Sequence, residues 1–598
     1  MQREAELLLI MHESSNFLRR LPGWGTCLAA LVTLALLLRM RPFYATTDLL
    51  AFAVTCTLEL VLLELLTRLC LKPRRAPLRL AALLVPALIG CVYMAQLYSV
   101  WISGGLIPPI ALANQEVTGL ISFTGIYWLL AAFLAAFFAH AVFHRPQPAP
   151  RRSAAAAVGI GAVALLYAAT LVNQPLARGI VVTRGEAPVS SFVRTLSTYL
   201  GMNAPEQLSA AELLKVRTEF LRRTTYGEEF PAAYRQGLPD RPNVIVIFTE
   251  GMSARWMETY GGAHPGLMPN LDRLAGESLV FRNYYNHTAA TFRGLRGQLT
   301  SGHQEMDGYN EEGTGTGQRD VSQDINAVPR VSIPDVLRSQ RYHSMFFLSQ
   351  QEYINNMIET LGFDRTLGRD YLYEHYTGNA PGARPKVLSD ADLFSAMLGE
   401  LEKQPADHPF FAAAYNFQTH AFLDGDARYG DGSNPLLNRF HSYDRDIGRF
   451  IERFKASRLH ENTVLVITSD HSTYPSPNAT RADPRIENYF VDTIPLLMYW
   501  TGVKHSVVDV AGKNSLDLAP TLLSLLEARK SRNLFLGCSL FEACAFDRIS
   551  SIGGQYILTD ADRSYSDYYV PPEQRSYYEE GKRLIERYKS MDVVLDVH

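Results

Sequence analysis

Two stretches decide the fold: NVIVIFTEGMS at Asn243–Ser253 and NTVLVITSDHS at Asn462–Ser472. Each opens with an apolar, β-branched run, at 244–248 and 463–467, and each ends in side chains that carry chemistry. A run without polar alternation fits a strand covered on both faces, as in a parallel sheet between helix layers. Similar runs at 344–348, 410–417 and 495–500 alternate with helical segments at 268–275, 332–340, 354–361, 390–404, 439–456 and 516–526. That alternation predicts an α/β domain with a largely parallel central sheet covered by helices.

The reactive side chains fall where such a sheet binds ligands. Thr249 and Glu250 follow the first run, His420 follows the run at 410–417, and Asp470 and His471 follow the run at 463–467. Open α/β sheets bind beyond the carboxyl ends of their strands. Any one of these residues alone reads as a turn or cap; three strands delivering them to one edge read as a site. Glu250, Asp470 and His471 suit one divalent metal, Mn²⁺ or Zn²⁺. The missing part is a hydroxyl nucleophile that such a metal would activate. HTAATFRGLRGQLTSG at His287–Gly302 offers Thr288 and Thr291. A helix from about Thr291 to Thr300 would set a hydroxyl beside unpaired N–H groups, which attract phosphate. The same position also suits a plain N-cap.

Outside this domain the composition changes. The chain has 598 residues, a formal net charge of −3 and 47% hydrophobic residues, which sets aside a basic nucleic-acid binder. Six cysteines in this length are too few for a disulfide scaffold. Five apolar stretches near 22–38, 48–71, 79–102, 119–143 and 154–174 read as membrane spans. Arg3, Arg19 and Arg20 precede the first; Lys72, Arg74, Arg75 and Arg79 follow the second; Arg145, Arg151 and Arg152 follow the fourth. Residues 103–118 hold no Lys or Arg, while Arg39 and Arg41 dissent after the first stretch. The majority puts the N-terminus in the cytoplasm and residues 176–598 outside. Glu59 and Glu64 lie inside a span, where a carboxylate is either functional or turned toward protein or water. The expected division is a five-span domain at 1–175, a juxtamembrane linker with a packing helix in 210–223, and an extracytoplasmic domain at 241–598. Cys538 and Cys544 form a plausible disulfide in an oxidising compartment.

The ordered motifs resemble the sulfatase-type phosphotransferases of the alkaline phosphatase superfamily, nearest to lipoteichoic acid synthase and to phosphoglycerol and phosphoethanolamine transferases. The resemblance covers about 243–540. It is carried by NVIVIFTEGMS, MPNLDRLAGESLVFRNYY (Met268–Tyr285), ETLGFD (Glu359–Asp364), HPFFAAAYNFQTHAF (His408–Phe422), YDRDIGRFIE (Tyr443–Glu452), NTVLVITSDHS, IPLLMYW and DLAPTLLSLL. It implies a metal held by Glu250, Thr291, Asp470 and His471, with Thr291 as nucleophile. The Thr300-Ser301-Gly302 that follows favours Thr291 over Thr288. His420 is implied in phosphoryl binding or protonation of the leaving oxygen, and Arg293 and Asn356 in substrate binding.

The resemblance further implies transfer of a phosphoglycerol or phosphoethanolamine headgroup from phosphatidylglycerol or phosphatidylethanolamine to an envelope glycan through phospho-threonine. Thr291-Phe-Arg-Gly lacks the C-x-P-S-R pattern of true sulfatases. Lipoteichoic acid synthases proper carry a Trp and an Arg in the segment resembling 349–357, where this chain has Ile354-Asn355-Asn356-Met357, so its headgroup contacts differ. A lipid phosphodiesterase and a non-catalytic membrane regulator of the same fold remain the alternatives. His303, His441 and Asp444 are further candidates for the cleft. Gly313–Gly317 is not a Walker A motif and reads as a surface loop.

Overall fold

A computed structural model describes residues 23–41, 46–71, 75–103, 105–108, 111–112, 125–143, 154–173, 186–202, 209–221, 230–289, 291–303, 331–350, 353–377, 384–486, 489–528, 533–552, 555–561, 563–566 and 569–589. The glycine-rich loop at 313–317 lies outside them. The chain forms two compact units. One comprises Met1–Pro108, Ser122–Ala177 and Val182–Leu196; the other holds the remainder.

The first unit is helical: Trp24–Met40, Thr46–Cys70, Ala76–Ser103, Gly125–Phe143 and Ala154–Asn173. Among the described residues three helices are long and apolar enough to cross a membrane, Leu49–Cys70, Pro77–Ile102 and Gly125–Val142, rather than the five expected. Trp24–Met40 is apolar but has only 17 residues, and the last helix offers only Gly161–Thr170 as described apolar length. The two intrahelical glutamates have structural partners. Glu64 accepts from Gly23 N at 2.9 Å and Thr26 Oγ1 at 2.8 Å, capping the helix Trp24–Met40 from a neighbouring one. Glu59 is buried and accepts from Tyr167 Oη at 2.6 Å and from the amides of Val189 and Ser190. It thereby satisfies the first donors of the helix Pro188–Met202.

The second unit is built on an eight-stranded sheet. Its strands are β1 (Asn243–Thr249), β2 (Leu279–Arg282), β3 (His343–Leu348), β4 (Arg365–Leu367), β5 (Phe410–Tyr415), β6 (Thr463–Ser469), β7 (Leu497–Tyr499) and β8 (Ser506–Asp509). Their order is β4-β3-β5-β1-β6-β7-β2-β8. All neighbours pair in parallel except β7, which is antiparallel to both β6 and β2. The central strands are buried on both faces: Val244, Val246 and Phe248 enter one apolar cluster, Ile245 and Ile247 the other. This double burial is why the runs carry no polar alternation. The run expected at 495–500 is β7, and only its direction departs from the parallel majority.

A smaller antiparallel sheet of Ile549–Ile552, Gln555–Thr559 and Ser564–Ser566 follows. The helix Ala210–Leu221 packs through Val216 and Phe220, which are buried with Phe220 edge-on to Tyr588, while Leu214 of the same apolar spacing is exposed. Cys538 and Cys544 form a disulfide.

Candidate active site

The sheet register assembles the site. β1 and β6 pair with Thr249 opposite Ser469, so Glu250 and Asp470 leave the sheet side by side one residue later. Gly251 takes φ +59, a left-handed turn that costs an L side chain strain, and its N–H donates to Asp470 Oδ1 at 2.8 Å. His471 N donates to the same oxygen at 2.7 Å. Among the described residues Asp470 Oδ2 is buried without a hydrogen-bond partner. His471 Nε2 lies 3.4 Å from that oxygen and 3.5 Å from Glu250 Oε1.

The nucleophile candidates separate here. Thr288 Oγ1 donates to the Ser551 carbonyl at 2.8 Å, away from the acids. Thr291 opens the helix Thr291–Thr300, and its Oγ1 donates to Glu250 Oε2 at 2.9 Å. Gly294 lets this helix lie against β6, since a Cβ there would stand 2.3 Å from the Asp470 carbonyl oxygen. Gln298 fixes the same approach by donating to the carbonyls of Ser469 at 2.9 Å and Asp470 at 3.1 Å.

Sequence reasoning missed the supporting residues. Tyr415, last in β5, donates its hydroxyl to Glu250 Oε2 and lies 3.4 Å from Thr291 Oγ1. Asn416 Oδ1 accepts from Glu250 N at 2.9 Å, and Thr419 Oγ1 donates to the Glu250 carbonyl at 2.8 Å. Tyr443 shares a 2.6 Å hydrogen bond with Thr249 Oγ1. The only signal for these was their presence inside YNFQTH and YDRDIG, which single out no side chain.

The imidazoles are oriented by backbone. Nδ1 of His471 donates to the Ser472 carbonyl at 2.7 Å, which turns Nε2 and its lone pair to the carboxylates. Nδ1 of His420 donates to the Ala421 carbonyl at 2.9 Å, which leaves the lone pair on Nε2, and the ring stacks on Phe417. Burial depresses both imidazoles and Glu250 pulls back against it. Burial and the neighbouring Glu250 push the Asp470 carboxyl well above its ordinary value. Burial also raises Glu250, but His420, His471, Tyr415 and Thr291 outweigh it and leave that carboxyl below its usual range.

Of the other expected site residues, Arg293 is buried and its Nε donates to the Ala289 carbonyl at 2.6 Å. Asn356 stands on the helix Tyr353–Glu359, with its side chain outside the described residues. His303 packs edge-on to His287 rather than joining the acids. Asp444 caps the helix Pro269–Ala275 through the amides of Asn270 and Leu271, and His441 Nδ1 donates to the Leu267 carbonyl, so both are structural.

Ligand atoms of Glu250, Asp470 and His471 all lie within 4.8 Å of one another. Two carboxylates, an oriented imidazole and a hydroxyl form a donor set for Mn²⁺ or Zn²⁺, and the unpartnered Asp470 Oδ2 fits a cation ligand.

Residues 242–528 match the family model described as Sulfatase. A phosphoglycerol transferase I from Xanthomonas campestris pv. campestris is 27% identical over 346 residues, 51% of this chain and 43% of that protein. Lipoteichoic acid synthase 2 from Bacillus subtilis is 24% identical over 260 residues, 40% of this chain and 39% of that protein. The chain thus matches less than half the length of these relatives. Among solved structures, the lipoteichoic acid synthase LtaP from Listeria monocytogenes aligns with a TM-score of 0.48 and 15% identity, over 64% of this chain and 98% of that one.

Proposed function

We propose that this chain, whose residues 242–528 match the Sulfatase family model, is a membrane-bound, metal-dependent phosphotransferase. It moves a phosphoglycerol or phosphoethanolamine headgroup from a phospholipid to an envelope glycan. The observation that carries this reading is the hydroxyl of Thr291 held on Glu250 at 2.9 Å, beside Asp470 and His471. The similarity to a phosphoglycerol transferase and a lipoteichoic acid synthase supports the substrate class. The apolar helices near the N-terminus support a site working next to its lipid donor.

Glu250, Asp470, His471 and Thr291 would hold the metal. When bound, it supplies a Lewis acid that lowers the pKa of the Thr291 hydroxyl and offsets charge on the phosphoryl oxygens. The protein's own residues carry the rest. Thr291 Oγ1 attacks phosphorus as its proton passes to Glu250 Oε2. The Oγ1–P bond forms and the bond from phosphorus to the diacylglycerol oxygen breaks. That oxygen takes the Nε2 proton of His420, which enters this half as the imidazolium, favoured by the Glu250 charge, and leaves it neutral with Nδ1–H still on the Ala421 carbonyl. In the second half a glycan hydroxyl attacks phosphorus, returns a proton to His420 Nε2, and displaces Thr291 Oγ1, which recovers its proton from Glu250. Arg293 and Asn356 assist substrate binding, and the soluble half works on the extracytoplasmic side.

The test is mass spectrometry of the full chain after incubation with phosphatidylglycerol or phosphatidylethanolamine, beside the Thr291→Ala variant. A headgroup phosphate adduct on Thr291 identifies both intermediate and donor. A metal-loaded protein that releases diacylglycerol without any adduct on Thr291 would sink the covalent mechanism.

A further inference from the structure

Arg439 is the unexplained charge of this unit. It sits in the second turn of the helix Pro435–Ala456 and is only 5% exposed. Among the described residues it makes no salt bridge. Among the same residues its Nη1 donates one long hydrogen bond, 3.3 Å, to the Leu423 carbonyl, and its Nε is buried without a partner. The nearby carboxylate of Asp424 is already engaged by Arg428 and Asn438. A buried guanidinium with so little compensation is costly, and proteins rarely keep one without an anion to meet it.

Its location says which anion. Tyr443 lies one turn further along the same helix face and bonds Thr249, the residue before Glu250. The Leu423 carbonyl belongs to the turn that carries His420. Arg439 is therefore held between the end of β1 and the His420 turn, at the carboxyl edge of the sheet. Its charge is felt at His420, and Glu250 acts on it in return.

We propose that Arg439 is the cation that binds the phosphoryl oxygens of the substrate, reaching the site from the helix Pro435–Ala456 rather than from the nucleophile helix. The inference rests on the phosphotransfer reading of the site. The ligand chemistry is a phosphate oxygen, carried by either a lipid headgroup or a free phosphate. A planar guanidinium with unspent donors suits such oxygens better than an ammonium.

The sign of a stability change separates this role from a structural one. Removing a structural arginine lowers the melting temperature, whereas removing an unmet buried charge raises it in ligand-free protein. The experiment is thermal unfolding of the full chain in detergent with Mn²⁺, for wild type, Arg439→Met and Arg439→Lys. Each is titrated with inorganic phosphate, with short-chain phosphatidylglycerol, and with short-chain diacylglycerol as the uncharged control. Wild type is expected to be stabilised by phosphate, the diester or both. Arg439→Met is expected to melt higher without ligand and to need about tenfold or more ligand for the same shift. Arg439→Lys is expected to fall between them. A shift with the diester alone assigns Arg439 to the lipid headgroup; a shift with phosphate as well assigns it to the phosphoryl group from either source. A wild-type shift that survives unchanged in Arg439→Met, or in Arg439→Lys and a neutral Arg439→Gln should the methionine variant not fold, overturns the assignment alone. No shift of wild type with either anion overturns the phosphotransfer reading and this inference with it.

Discussion

Thr291 Oγ1 donates to Glu250 Oε2 at 2.9 Å, although 41 residues separate them in the chain. A short turn at the end of β1 and a helix closed against β6 create that contact. The same carboxylate oxygen receives the Tyr415 hydroxyl. Two hydroxyls therefore meet on one oxygen, and only one of them heads a helix.

Their roles are separable by kinetics. Thr291→Ala is expected to lose transfer by about 10³-fold or more, as loss of a nucleophile does. Tyr415→Phe is expected to cost about tenfold in kcat with KM little changed, since it removes one neutral hydrogen bond from Glu250. Headgroup release measured on both variants checks this; equal losses would contradict the assignment.

Gly294 provides a steric test away from the reacting atoms. A Cβ there would stand 2.3 Å from a backbone oxygen of Asp470, which cannot rotate away. Gly294→Ala is expected to displace the nucleophile helix, costing about 1–3 kcal/mol of stability and most of the activity. Thermal unfolding and turnover of that variant measure both; wild-type values in the two together would show that the helix is free to shift.

Metal removal has a defined consequence. The unmet Asp470 Oδ2 and the mutual repulsion of the two acids make the metal-free site the less stable form. Adding Mn²⁺ or Zn²⁺ after chelation is expected to stabilise by about 2.7 kcal/mol at a hundredfold excess over Kd. His471→Ala is expected to abolish that gain. Calorimetry of the chelated protein with each ion decides it, and an ion-induced gain intact in the variant would move the metal elsewhere.

Asp390 gives the pH dependence. Burial raises its carboxyl from 3.8 to about 7, against the hydrogen bond from Asn416 Nδ2. The folded state thus holds this proton where the unfolded chain has released it. Stability from this group is full below about pH 4 and is lost as pH rises through about 7. Asp390→Asn is expected to flatten the fall in melting temperature between about pH 5 and 7, within the window set by this linkage. An unchanged slope in that variant would show that Asp390 is ionised throughout.

The disulfide and the intrahelical glutamates show how far sequence reading reached outside the site. Cys538 and Cys544, six residues apart, were legible as a pair because the chain has no other cysteine after Cys91. Glu59 and Glu64 stood out as costly carboxylates; of their partners, the amides of Val189, Ser190 and Gly23 carry no side-chain signature. The count of five spans failed at the margins: 17 residues at Trp24–Met40 rise about 26 Å, short of the ~30 Å core.

By itself the sequence determined the alternation of buried strands and helices, because continuous apolar runs are stable only between two helix layers. It also determined which strands end in Glu250, His420, Asp470 and His471, since chemistry gathers at the carboxyl edge of such a sheet. Tertiary structure showed what the hydroxyls of Thr288 and Thr291 face, the Ser551 carbonyl for the first and Glu250 for the second. It alone brought Tyr415, Asn416 and Gln298 onto the site, and it buried Arg439 with no salt bridge among the described residues. Those facts depend on register, helix approach and burial, which arise from contacts between residues far apart in the chain and leave no local pattern to read.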